Sequence, residues 1–100
     1  MLFRSVNFRD AGLAEVVFDN CLLREVDFTG AALTRTSFTG CRLAGTTFTR
    51  TTQDQVDLRG AELGITTDAT SLRGAIVTSA QLMAMAPVLA ESIGIVVDDG

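Results

Sequence analysis

Histidine and lysine are both absent from the 100 residues, and proline occurs once, at Pro87. Without histidine, the side chain that titrates nearest neutrality is missing, so histidine acid–base chemistry and histidine metal ligation are excluded. All eight basic residues are arginine. The two cysteines, Cys21 and Cys41, are too few for the disulfide framework of a small secreted domain and too far apart in sequence for a zinc pair. No phosphate-binding glycine loop occurs. No apolar run reaches membrane-spanning length, and no charged-then-apolar leader precedes the first apolar residues, so a cytoplasmic protein without a membrane span is expected. Charge of one sign is also scarce. Between Met1 and Arg73 nine acidic residues face eight arginines, a net of −1, and Glu91, Asp98 and Asp99 add −3 to give −4 in all. A stripe of basic residues is lacking, which argues against direct nucleic-acid binding. Asp98 and Asp99 read as a solvated tail rather than a metal pair. Catalytic, metal-binding and cofactor-binding residues are therefore not expected.

What the chain does have is a period of five. Phe3, Phe8, Leu13, Phe18, Leu23, Phe28, Leu33, Phe38, Leu43, Phe48, Gln53, Leu58 and Leu63 form one column, broken only by Gln53. Two residues earlier in each unit lies a column of smaller side chains, among them Val6, Ala11, Val16, Cys21, Val26, Ala31, Thr36, Cys41, Thr46, Thr51, Val56 and Ala61. Five fits neither the helical period nor the strand period. A bend in every unit is needed to return the large residue to the inside, and short repeats of this kind point to a solenoid. Phe and Leu alternate from Phe8 to Phe48, giving a ten-residue period. If four units make one turn, residues 20 apart stack: Phe8/Phe28/Phe48, Phe18/Phe38/Leu58, Leu13/Leu33/Gln53 and Leu23/Leu43/Leu63. Phenylalanine then occupies two opposite sides of a square, and like-on-like stacking suits ring geometry.

Units such as Val6-Asn7-Phe8-Arg9-Asp10, Val26-Asp27-Phe28-Thr29-Gly30, Val56-Asp57-Leu58-Arg59-Gly60 and Ala61-Glu62-Leu63-Gly64-Ile65 resemble the pentapeptide-repeat family, whose loose pattern is Ala-Asp/Asn-Leu-X-X. The resemblance covers about four fifths of the chain. It implies an all-β solenoid, a right-handed quadrilateral β-helix, here of about four coils. The ending from Ala80 to Val97 is similar to actinobacterial members.

Against this frame the irregular positions gain meaning. Gln53 puts an amide in a large inward site, so a distortion or loop is expected around Thr51–Gln55, or a bound water. One residue is missing from the register near Thr66–Ser71, because the large column continues at Leu72, Val77 and Leu82. The repeat is therefore assigned to residues 1–78 and a helical cap and tail to residues 79–100. Leu82, Ala86, Leu89, Ala90 and Ile93 have helical spacing, Thr78 or Ser79 offers a cap, and Gly94 a stop. Pro87 predicts a break near Met85–Pro87 and two short helices lying over the last coil as a lid. Ile95–Val97 reads as a short extended piece. Cys21 and Cys41 read as buried free thiols one coil apart. Gly30, Gly40, Gly45 and Gly60 fit corners. Arginines and acids one or two units apart are expected to form exposed ion pairs worth a few tenths of a kcal/mol.

For function the sequence predicts a non-enzymatic, rigid scaffold for protein interaction, its partner unidentified. Leu2, Val17 and Leu22 are apolar at outward positions and form a candidate interface. The bare first coil also predicts either self-association, as in a dimer, or a place in a longer solenoid, the latter making the chain an accessory domain of a larger protein. The resemblance adds another reading, since some family members mimic DNA, bind DNA gyrase and confer quinolone protection. The nearly neutral repeat and its short length, about 20 Å for four coils, fit that role poorly. Threonines such as Thr34, Thr39, Thr47, Thr49 and Thr52 are spread over several faces between Arg35, Arg42 and Arg50, which argues against a flat ice-binding array.

Overall fold

The computed structural model describes residues 1–66 and 69–100. Eleven short strands carry the repeat: β1 (Leu2–Arg4), β2 (Gly12–Ala14), β3 (Val17–Asp19), β4 (Leu22–Arg24), β5 (Ala32–Thr34) and β6 (Ser37–Thr39). They continue as β7 (Arg42–Thr47), β8 (Thr52–Asp54), β9 (Val56–Asp57), β10 (Glu62–Thr66) and β11 (Ala75–Ile76), followed by one helix, α1 (Ser79–Ser92). All pairing is parallel, at an offset of 20 residues up to Gly64 and of 19 beyond it: Phe3 opposes Leu23, Leu13 opposes Leu33, and Phe18 opposes Phe38, whereas Ala75 opposes Val56. Sheets β1-β4-β7-β10 and β3-β6-β9-β11 are four strands high, and β2-β5-β8 is three. The fourth face is held by single bridges from Asn7 to Asp27 and from Asp27 to Thr47. The result is a square β-solenoid of three full coils and a partial fourth.

The bend that a five-residue unit demands lies at every position whose number ends in 0 or 5. Ser5, Asp10, Glu15, Asn20, Glu25, Gly30, Arg35, Gly40, Gly45, Arg50, Gln55 and Gly60 all have positive φ, from 45° to 77°. Several corners close with a three-residue hydrogen bond, such as Ala11 N–H to Phe8 O and Ala61 N–H to Leu58 O, with the left-handed residue third in the turn.

Inside, the phenylalanines stack as two columns on opposite faces. Phe8, Phe28 and Phe48 lie parallel with centroids 5.2 and 5.1 Å apart, and Phe18 lies 4.9 Å from Phe38. The columns meet edge to face at 6.0–6.4 Å, a herringbone that fills the axis. Leu23, Leu33, Leu43, Leu58 and the ring columns are buried, while Phe8, Leu13 and Leu63 are half-buried because they have packed neighbours on one side only. Threonine and cysteine side chains of the second column reach carbonyls of the coil below. Thr46 Oγ1 donates to Leu23 O at 3.0 Å, Thr51 Oγ1 to Phe28 O at 2.9 Å, and Cys41 Sγ to Phe18 O at 3.1 Å.

Several expectations need correction. Gln53 causes no loop: it sits in β8, in register with Leu33, and its Nε2 donates to Ser71 O at 2.8 Å. That carbonyl belongs to the 3-10 turn Ala69–Leu72, which replaces a fourth strand on this face. Gly74 follows, with φ of 92°, and any side chain there would overlap the carbonyl oxygen of Gln53. The register slip falls between Gly64 and Ile65, where Gly64 opposes Ala44 but Ile65 opposes Thr46. The expected site, Thr66–Ser71, lies partly outside the described residues.

Pro87 does not split the cap. Helix α1 is continuous, because a proline removes one hydrogen bond while the turns on both sides keep theirs. Thr78 caps it in a full capping box with Gln81, and Gly94, with φ of 82°, closes it through Ile95 N–H to Ala90 O. The side turned to the solenoid includes Gln81, Met85 and Leu89, with Leu82, Ala86 and Ile93 exposed. Gln81 decides this, since its Nε2 donates to Leu58 O at 2.7 Å, the position whose carbonyl threonines reach in lower coils, and to Ala61 O at 2.8 Å. Ile95–Val97 has no regular secondary structure.

Phe28 has rings on three sides, whereas Phe8 is half-buried. Phe28→Ala should cost about 3–5 kcal/mol in urea unfolding, and Phe8→Ala clearly less. Equal losses would contradict the ring stack.

Candidate functional site

With the interior filled, what remains for recognition is the outward row of each strand and the corners. Among the described residues no cluster of three or more histidine, cysteine, aspartate or glutamate side chains exists that would hold a metal ion. Cys21 and Cys41 are free and buried, and burial pushes the Cys41 thiol up, away from the reactive thiolate. Two recesses lie between α1 and the last coil. The one lined by Leu63, Leu72, Met85 and Leu89, of about 260 Å³, offers apolar surface without converging polar groups.

The candidate interface residues do come together. Leu2 opposes Leu22 on the β1-β4-β7-β10 face, and Val17 lies on the adjoining face, opposite Ser37. Leu2 and Val17 are 56% and 66% exposed, and Leu22 is half-buried. Sequence reasoning missed their neighbours. Arg4 opposes Arg24 in the next outward row, and Arg42 stands above Leu22. Arg42 reaches Glu62 at 3.3 Å, while Arg4 and Arg24 have no ion pair among the described residues. Laying the sequence out in rows of 20 would have shown this cluster.

Three further ion pairs form among the described residues, two of them across one coil rather than between neighbouring units. Arg35 meets Glu15 at 3.0 Å and Arg9 meets Asp27 at 3.3 Å; Arg59 with Asp57, at 3.0 Å, is the local exception. Coil-to-coil pairing follows from parallel stacking, which places residue i beside residue i+20. Asn7, Asp27 and Asp57 each accept the N–H two residues on, at 2.8–2.9 Å, so the amide or carboxylate at this position braces the corner. Thr29 Oγ1 adds a second hydrogen bond to Asp27 Oδ1 at 2.5 Å. These Thr29 contacts, helped by Arg9, hold the Asp27 carboxyl below the usual carboxylate range; Arg59 does the same for Asp57.

A square parallel solenoid with a left-handed residue at each fifth position defines a β-helix of five-residue repeats. Residues 2–40 match the family described as pentapeptide repeats, in eight copies. Among solved structures, a trypsin-treated form of QnrB1, a plasmid-mediated fluoroquinolone resistance protein, aligns with 97% of the chain at a TM-score of 0.67 and 21% identity. A second trypsin-treated form gives a TM-score of 0.54 at 28% identity, and full-length QnrB1 gives 0.52 at 27% over 93% of the chain. The chain spans 44–48% of the length of these structures. No curated protein matches it. Among the described residues no helix is long and apolar enough to cross a membrane.

Because both folded-state carboxyl pKa values are lowered, the stability they contribute is complete above the unfolded carboxylate value, about 3.9, and is lost as pH falls toward the lower folded values. In thermal melts from neutral pH down to strong acid, Asp27→Asn/Asp57→Asn should lose less stability on acidification than wild type. An unchanged acid dependence would contradict this assignment.

Proposed function

We propose that the chain is a non-catalytic, rigid rod that presents its outward strand rows to a protein partner. The observation that supports this most is the filled axis: Phe28, Phe38, Phe48, Leu23, Leu33 and Leu43 are essentially inaccessible, so binding must use the outer surface. Strands fixed by neighbours above and below keep that surface preorganised, which lowers the ordering cost of binding. Photo-crosslinkers at exposed Ala14, Val17, Arg24 and Thr39, one variant each, test the reading in the native host. Saturable crosslinks of one defined mass, confined to one or two faces, are expected. Equal, unsaturable labelling at all four positions would overturn it.

A second reading, binding to DNA gyrase, is favoured by the 27–28% identity to QnrB1, a fluoroquinolone resistance protein. The repeat's net charge of −1, from eight arginines against nine acids, weakens any mimicry of a polyanion. A gyrase supercoiling assay decides it. The first reading expects no inhibition at micromolar protein, and inhibition there would move the assignment to gyrase.

A further inference from the structure

We infer that the Leu2/Leu22–Arg4/Arg24 face receives the acidic tail of a second copy of this chain, joining molecules head to tail. The inference rests on the reading that the outer rows are contact surfaces. On this face the row of Leu2, Leu22 and Arg42 runs beside the row of Arg4, Arg24 and Ala44. The small Ala44 leaves a recess of about 280 Å³ bounded by Leu22, Arg24 and Arg42. Arg24 and Arg42 therefore flank an apolar floor, with Arg4 opposite Arg24; Arg42 is held by Glu62 at 3.3 Å, while Arg4 and Arg24 have no ion pair among the described residues. Glu25 at the corner accepts the Ser5 hydroxyl at 3.5 Å.

The tail offers the complementary chemistry. Val96 is 87% exposed and is followed by the exposed Asp98 and Asp99. Val97 lines a groove on α1 with Met83, Ala86, Pro87 and Ala90. When the tail extends along the receiving strand, alternation turns Val96 and Asp98 to the side opposite Val97. Leu22 and Arg24 are also two residues apart on an outward strand row, so both pairs have a separation of about 6.6 Å. A tail laid along the strand sets Val96 over Leu22 and Ala44 and brings Asp98 to Arg24. Asp99, at the edge, faces Arg4 or Arg42. The contact is heterologous, so repeating it builds rings or open chains of copies. A bare phosphate backbone would satisfy the arginines but leave the leucine row without a partner, and the net charge of −4 opposes its approach.

The test is sedimentation velocity of the intact protein from micromolar to millimolar concentration, at low and at half-molar salt. Concentration-dependent oligomers that weaken with salt are expected, because exposed ion pairs are screened. Arg4→Glu/Arg24→Glu and Asp98→Arg/Asp99→Arg alter exposed positions, and circular dichroism checks that each variant folds. Each alone should weaken association about tenfold, in line with two exposed ion pairs lost and replaced by repulsion. An equimolar mixture of the two should restore it. A protein that stays monomeric at millimolar concentration, association insensitive to salt, or a mixture that fails to recover would overturn the inference. Saturable binding of a short DNA duplex that Arg4→Glu/Arg24→Glu abolishes would also overturn it, assigning the face to nucleic acid. Crosslinking to an unrelated protein through other faces could fail or succeed without changing these outcomes.

Discussion

A left-handed backbone conformation at every fifth residue is the constraint on which this structure depends. Twelve successive corners, from Ser5 to Gly60, adopt it, and eight of them carry side chains. For an L-residue other than glycine that conformation costs roughly 1–2 kcal/mol. The sequence accepts this cost repeatedly because each corner turns the chain about a quarter of the way round the axis and returns a Phe or Leu to the inside. Stacked rings 4.9–5.2 Å apart and ladders of parallel hydrogen bonds offset the strain, and neither forms unless every corner bends the same way.

Once the corners are set, distance in sequence translates into position. Residues 20 apart are neighbours on the surface, and residues 23 apart meet at a corner, where a threonine or cysteine hydroxyl or thiol reaches the carbonyl of the coil below. Gln81 makes the same contact from outside the repeat, to Leu58 O, and so anchors α1 to the last coil. Function inherits this geometry. The interior is filled by side chains, and the spacing of the outward rows is fixed by the strands.

The ring and leucine stacks were legible before any coordinates because the large column is nearly unbroken and its alternation fixes the number of units per coil. Gln53 and Pro87 misled, each for a physical reason. A buried amide signals irregularity only if its partners are unknown, and the carbonyl of Ser71, 18 residues away, supplies one here. Proline weakens a helix locally, but the capping box at Thr78 and the closing contacts at Gly94 hold its ends. The buried side of α1 was hidden for a similar reason, since a glutamine faces the solenoid where hydrophobic periodicity expects leucine. The paired outward leucines were visible in the sequence, whereas the Arg4–Arg24 row appears only when coils are aligned.

Gln55 gives the cleanest measure of the corner constraint, because its φ is 54°, its side chain is exposed, and Arg35 below it is engaged with Glu15. Urea unfolding of Gln55→Gly and Gln55→Val compares relief of the left-handed strain with its worsening by a β-branched side chain. The account predicts that the valine variant is less stable than the glycine variant by about 1–2 kcal/mol or more. Equal stabilities, or a more stable valine variant, would contradict it.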